Sequence, residues 1–119
     1  MSAGDTRALI RQALEGLQKE VPALARLKLV IRLELRARGT DVPIWRVEMP
    51  GPKIDRDPAG DARIDVSVAR SHFNDLANEG RLKQWADAYE NGHVRVSGDP
   101  AVVKLLGSVV QRKLSRARS

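Results

Sequence analysis

Hydrophobic and polar residues recur with two different periods along the chain, and each change of period marks an element. From Asp5 or Thr6, either of which can cap a helix, Leu9, Ile10, Ala13, Leu14 and Leu17 return at helical spacing and stop before Pro22. The run LKLVIRLELRAR then puts Leu27, Leu29, Ile31, Leu33 and Leu35 on one face and mostly charged residues on the other, which predicts a strand covered on one side. PIWRVEMP sets Trp45, Val47 and Met49 against Arg46 and Glu48, with prolines at both ends. A turn-rich stretch with room for a short strand at Ile54 leads to RIDVSV, where Ile64, Val66 and Val68 alternate again.

The second half opens on helices. Ser71 can cap HFNDLANEG, with Phe73, Leu76 and Ala77 inward and Gly80 as the stop. RLKQWADAYENG follows with Leu82, Trp85, Ala86 and Tyr89 inward, and Gly92 closes it. The strand HVRVS comes next, and then Gly98 permits a tight turn, Asp99 caps, and Pro100 takes the first helical position, where its missing N–H costs nothing. In the last helix Val102, Leu105, Leu106, Val109 and Val110 form a stripe that Val103 widens beyond the arc an ordinary core face needs. A deeper core, a partner chain or a cavity for an apolar ligand would each satisfy that excess. The element order α-β-β-(β)-β-α-α-β-α predicts an α+β domain, a mixed and mainly antiparallel sheet of about five strands covered on one face by four to five helices.

Composition narrows the class. With 119 residues, 42% hydrophobic and 30% charged, the chain reads as one domain, spanning 1–119. No cysteine is present, so disulfides and thiolate metal sites are excluded. The start lacks the apolar stretch of a signal peptide and no segment is long enough to span a bilayer, so a cytoplasmic protein is expected. The net charge of +6 is uneven: residues 1–40 carry eight Lys/Arg against four Asp/Glu, 41–80 five against eight, and 81–119 eight against three. Beyond Asp99 there is no acid, while Lys104, Arg112, Lys113, Arg116 and Arg118 follow. Such an end either attracts an anionic membrane surface or is a solvated, flexible tail from about Arg112.

The order of these features resembles the sterol carrier protein type two family. Its members share an amphipathic first helix, an alternating strand, a tryptophan-bearing strand and an acid-rich hairpin, and close on a pattern that here reads NGHVRVSGDPAVVKLL. IDVSVARSHFNDLANEGRLKQWADAYENG also fits, with Phe73 and Leu76 at the family's helix positions, so the likeness runs from Leu14 to Val110. The resemblance implies a twisted sheet roofed by helices and, between them, an apolar tunnel that accepts sterols, fatty acids, acyl-CoAs or phospholipids. The walls it implies are Trp45, Val47, Met49, Phe73, Leu76, Leu82, Trp85, Tyr89, Val103, Leu106 and Val110. Arg112, Lys113, Arg116 and Arg118 would meet a membrane surface. Some relatives of this fold are accessory domains in pathways for apolar metabolites, so a pathway role is the alternative to carriage. Two departures are plain: polar NEGRLKQW replaces a short glycine hinge, and RARS stands where peroxisomal members carry a targeting tripeptide.

Signals for catalysis are thin. His72 starts a helix and His93 precedes a strand, and isolated histidines at element ends are mostly surface residues. Asp55, Asp57, Asp61 and Asp65 invite a calcium site but lack the closing glutamate of a calcium loop, which leaves a solvated hairpin. No nucleophile set, phosphate loop or metal cluster stands out, so the sequence predicts a non-enzyme without cofactor. A nucleic-acid module fits the charge but lacks a recognition helix or stacking aromatics, and no nucleic-acid partner is expected.

Overall fold

The computed structural model describes residues 3–37, 44–79 and 81–118, with side chains at 6–37, 44–78 and 81–115. Gly80, the expected helix stop, and the Arg116 and Arg118 side chains lie outside the described residues, as does the Asp5 side chain.

The chain begins with helix α1 (Ala3–Glu20), followed by a 3-10 turn over Pro22–Arg26. Three strands follow, β1 (Leu29–Arg36), β2 (Ile44–Met49) and β3 (Lys53–Arg56), then β4 (Ile64–Ala69), α2 (Arg70–Glu79), α3 (Leu82–Glu90), β5 (Val94–Gly98) and α4 (Pro100–Arg118). The five strands form one sheet in the order β3-β2-β1-β4-β5. β1 and β4 run parallel at its centre and every other pairing is antiparallel.

Period-two alternation decides which face is covered. Leu29, Leu33 and Leu35 of β1, Trp45, Val47 and Met49 of β2, Ile54, Ile64, Val68 and Val94 are all buried, and Ile10, Ala13, Phe73, Ala77 and Ala88 of the helices meet them. The other face is wet and charged. There Arg46 donates to Asp61 at 2.8 and 3.1 Å and to Glu48 at 3.1 Å, which holds its guanidinium even more firmly protonated than usual.

Three sequence expectations move. α1 begins at Ala3, so Thr6 lies inside the helix, where its buried hydroxyl accepts a 2.8 Å hydrogen bond from Arg70 rather than capping. α2 begins at Arg70, directly from β4, so Ser71 sits within its first turn and is exposed. The expected tail from Arg112 is instead the end of α4, whose helix continues to Arg118. Nothing after Pro100 breaks a helix except the single Gly107, which costs about 1 kcal/mol relative to alanine, and Leu114 extends the apolar stripe.

The junction before α4 behaves as its residues suggest. Gly98 has φ +126°, and a Cβ there would lie 2.5 Å from the Arg63 carbonyl oxygen and 2.8 Å from the Ile64 Cα. Asp99 accepts from the Ala101 N–H at 3.0 Å and from Arg63 at 2.8 Å, and these bonds, the Arg63 one foremost, hold its carboxyl below the usual range. α4 is therefore fixed at its first turn to the end of β4.

Candidate ligand site

The residues expected to wall a tunnel separate into three groups. Trp45, Val47, Met49, Phe73 and Leu82 are fully buried. Leu76, Trp85, Val103, Leu106 and Val110 are half-buried. Tyr89, on the last turn of α3, is 51% exposed.

The half-buried group has a counterpart in the sheet. Ile31 stands opposite the buried Val47, and Val66 lies between Leu33 and Val96, so Ile31, Val66 and Val96 all point toward the helices. Unlike their neighbours they are only half-buried. They pack against the core together with Leu76 of α2, Trp85 of α3, and Val102, Val103 and Leu106 of α4. Leu9 and Leu14 of α1 pack on the core in the same way, so half-buried apolar residues lie both on the inner sheet face and on the helices that cover it; those of the sheet and the last three helices are termed the seam. Phe73 sets the angle of Trp85 by an edge contact, with ring centres 6.1 Å apart and planes at 73°. The N-terminus of α3 is anchored too, since the Leu82 N–H donates to Glu20 of α1 at 2.7 Å and Gln84 accepts from the Arg81 N–H.

Ile31, Val66, Val96 and Val102 are not among the wall residues expected from the sequence. Alternation places the three strand residues inside; how completely helices cover them depends on where α3 and α4 lie, which no local pattern encodes. A separate open depression of about 410 Å³ lies at the far end of β1 and β2, lined by Lys28, Leu29, Val30, Glu48, Met49, Pro50, Asp61 and Arg63. Of the expected wall residues it includes Met49 alone.

α4 packs mainly on β5 and α3. Leu105 is 49% exposed, and Val109, Val110 and Leu114 are half-buried. Lys104, Arg112 and Lys113 are exposed along the same helix, with no ion pair among the described residues. No helix of the described residues is long and apolar enough to cross a membrane.

The fold brings His72 and His93 together as a stacked pair, ring centres 4.2 Å apart, and both are exposed. The hairpin acids are used otherwise: Asp61 bonds Arg46, Asp57 accepts from the Ala59 N–H at 2.7 Å, and Asp65 lies 3.9 Å from Arg32. Among the described residues no group of three metal-ligating side chains forms.

This architecture, a one-sided α+β sandwich with a parallel pair at the centre of its sheet, has solved counterparts. The fold is that of the sterol carrier protein 2 domains. Palmitated SCP2L2 from Aedes aegypti is similar with a TM-score of 0.59 at 19% identity, over 85% of this chain and 93% of that one. Sterol Carrier Protein 2 from Yarrowia lipolytica, in its apo form, gives a TM-score of 0.56 at 19% identity over 83% and 92%. UbiJ-SCP2, a ubiquinone synthesis protein, gives 0.55 at 20% identity over 92% and 93%. No family profile and no curated protein sequence matches the chain.

Proposed function

We propose that this protein binds an apolar molecule non-covalently in the seam between the inner sheet and helices α2, α3 and α4, and carries it without catalysis. The observation that supports this best is the incomplete cover over Ile31, Val66 and Val96, three inward aliphatic residues on the face that the helices cover. Apolar surface left half-wet inside a small fold is what an apolar ligand would bury, at about 25 cal/mol per Å². A palmitated structure with the same fold favours an acyl chain as the ligand. The similarity to a ubiquinone synthesis protein supports a second reading, in which the same seam serves as an accessory site for an apolar biosynthetic intermediate.

Delivery would use α4. Arg112, Lys113 and, one turn on, Arg116 and Arg118 would hold its end on an anionic membrane surface, each adding about 1 kcal/mol, with Leu105 beside them entering the interface.

The test is binding of a fluorescent fatty acid to the purified protein and to Leu106→Trp and Val103→Trp. Both variants should keep the fold and bind at least several-fold more weakly, since a larger ring fills the seam. Variants that lose stability but bind as the parent does would make the seam ordinary core and remove the proposal. Organic extraction of the purified protein followed by mass analysis would separate an acyl lipid from a pathway intermediate.

A further inference from the structure

At the opposite edge of the sheet, on the same covered face, a second site lies where α1 meets β3. Trp45 is 1% exposed, and its indole N–H is buried without an acceptor among the described residues. Native proteins rarely leave such a donor unpaired, so the group points to a partner that is not part of the chain. Two guanidinium groups converge on the same ring. Arg7 of α1 has its guanidinium carbon 5.9 Å from the ring centre, and Arg56, directly opposite Trp45 in the ladder, has its own at 5.7 Å. Arg7 is fixed in place by a 3.0 Å bond from its Nε to the Ile54 carbonyl, which leaves both terminal nitrogens available. Neither arginine has a carboxylate partner among the described residues, whereas Arg46, beside Trp45 on β2, is held by Asp61 and Glu48.

We infer that Arg7, Arg56 and Trp45 form a binding site for an oxyanion, a carboxylate or phosphate group. Two guanidinium groups within 6 Å of one ring centre, neither with a carboxylate partner among the described residues, repel, and an oxyanion accepting from both reduces that repulsion. The buried Trp45 N–H, unpaired among the described residues, is a further donor at the same ring. The site stands one to two strand spacings from the half-buried sheet residues, since Ile31 is on β1, next to Trp45's strand, and Val66 is on β4, one strand further. It therefore takes either a free anion or the polar end of an amphiphile, and it does not depend on the seam being a ligand site.

The experiment follows the two indole N–H signals of the 15N-labelled full chain in two-dimensional NMR, assigned with a Trp85→Phe sample. The probes are inorganic phosphate, decanoate, decyl phosphate and decanol. The expected result is a saturable shift of the Trp45 indole signal with the anionic probes, weakened at least tenfold in Arg7→Gln/Arg56→Gln. Phosphate acting alone would identify a free anion; action by decanoate or decyl phosphate with none from phosphate would identify a headgroup. Decanol moving the Trp85 signal while no anion moves Trp45 would overturn the anion site and leave the seam standing. Anions that move Trp45 equally in the double variant would also overturn it. Phosphate binding at Trp45 with no response to decanol at Trp85 supports the anion site and counts against the seam.

Discussion

Gly98 and Asp99 set the position of α4, and their roles can be separated by substitution. Gly98→Ala should destabilise the protein by at least the ~1–3 kcal/mol that a left-handed backbone costs a side-chain-bearing residue. The added Cβ also meets backbone atoms of Arg63 and Ile64, which cannot swing aside as a side chain could. Urea midpoints would read this, and a Gly98→Ala midpoint equal to the parent's would mean that the junction relaxes freely. For Asp99, the carboxyl sits below its ordinary value because Arg63 and the Ala101 N–H favour its charged form. Its contribution is therefore complete above the ordinary carboxylate range and is lost as pH falls through the lowered value. Melting temperature measured from pH 6 down to pH 2 should fall less steeply for Asp99→Asn than for the parent, while Asp99→Ala should melt below both at pH 6 through loss of the cap. At this scale much was legible: the run SGDP encodes the turn, the cap and the helix start, and all three occur. The bond from Arg63 to Asp99 was not, because it joins residues 36 apart through the β4–β5 pairing.

Among the elements, α4 is the one whose sequence promises most and whose packing delivers least cover. Leu105 remains 49% exposed, although Val102, Val103, Leu106, Val109 and Val110 of the same stripe are half-buried. Replacing Lys104, Arg112 and Lys113 with Gln should lower transfer of a fluorescent lipid between anionic vesicles severalfold and leave its affinity in solution unchanged. The difference should shrink as salt rises, because exposed charges act over a Debye length of about 8 Å at physiological ionic strength. Equal transfer by variant and parent at low salt would detach the basic helix from delivery. The stripe itself was readable from spacing; which of its residues face the sheet was not. Trp85 shows the same limit. Helical spacing turns it inward with Leu82, yet Leu82 is buried and Trp85 only half so, because α3 meets the sheet edge at β5.

For the whole molecule, strand and helix order, the covered face and the charge gradient all followed from periodicity and composition. The parallel pairing of β1 with β4 did not, since alternation says which face is inward but not which strand lies alongside. Leu35 and Val68 meet across that pair and are fully buried. Leu35→Ala should cost about 2–5 kcal/mol in chemical denaturation. A cost below 1 kcal/mol would mean that the centre of the sheet can collapse around the gap.

The same pairing governs the order in which the chain can become safe from self-association. During synthesis β1 finds β2 and β3 within a short hairpin path, but its other edge stays open until β4 emerges at Ile64, nearly thirty residues after β1 ends. In that interval a leucine-rich strand presents unpaired amides to any similar strand nearby. Arg32, Glu34 and Arg36 alternate along it on the opposite face from the leucines, and charges so placed penalise stacking of one copy on another. Strand β1 thus carries its own chaperoning until β4 arrives.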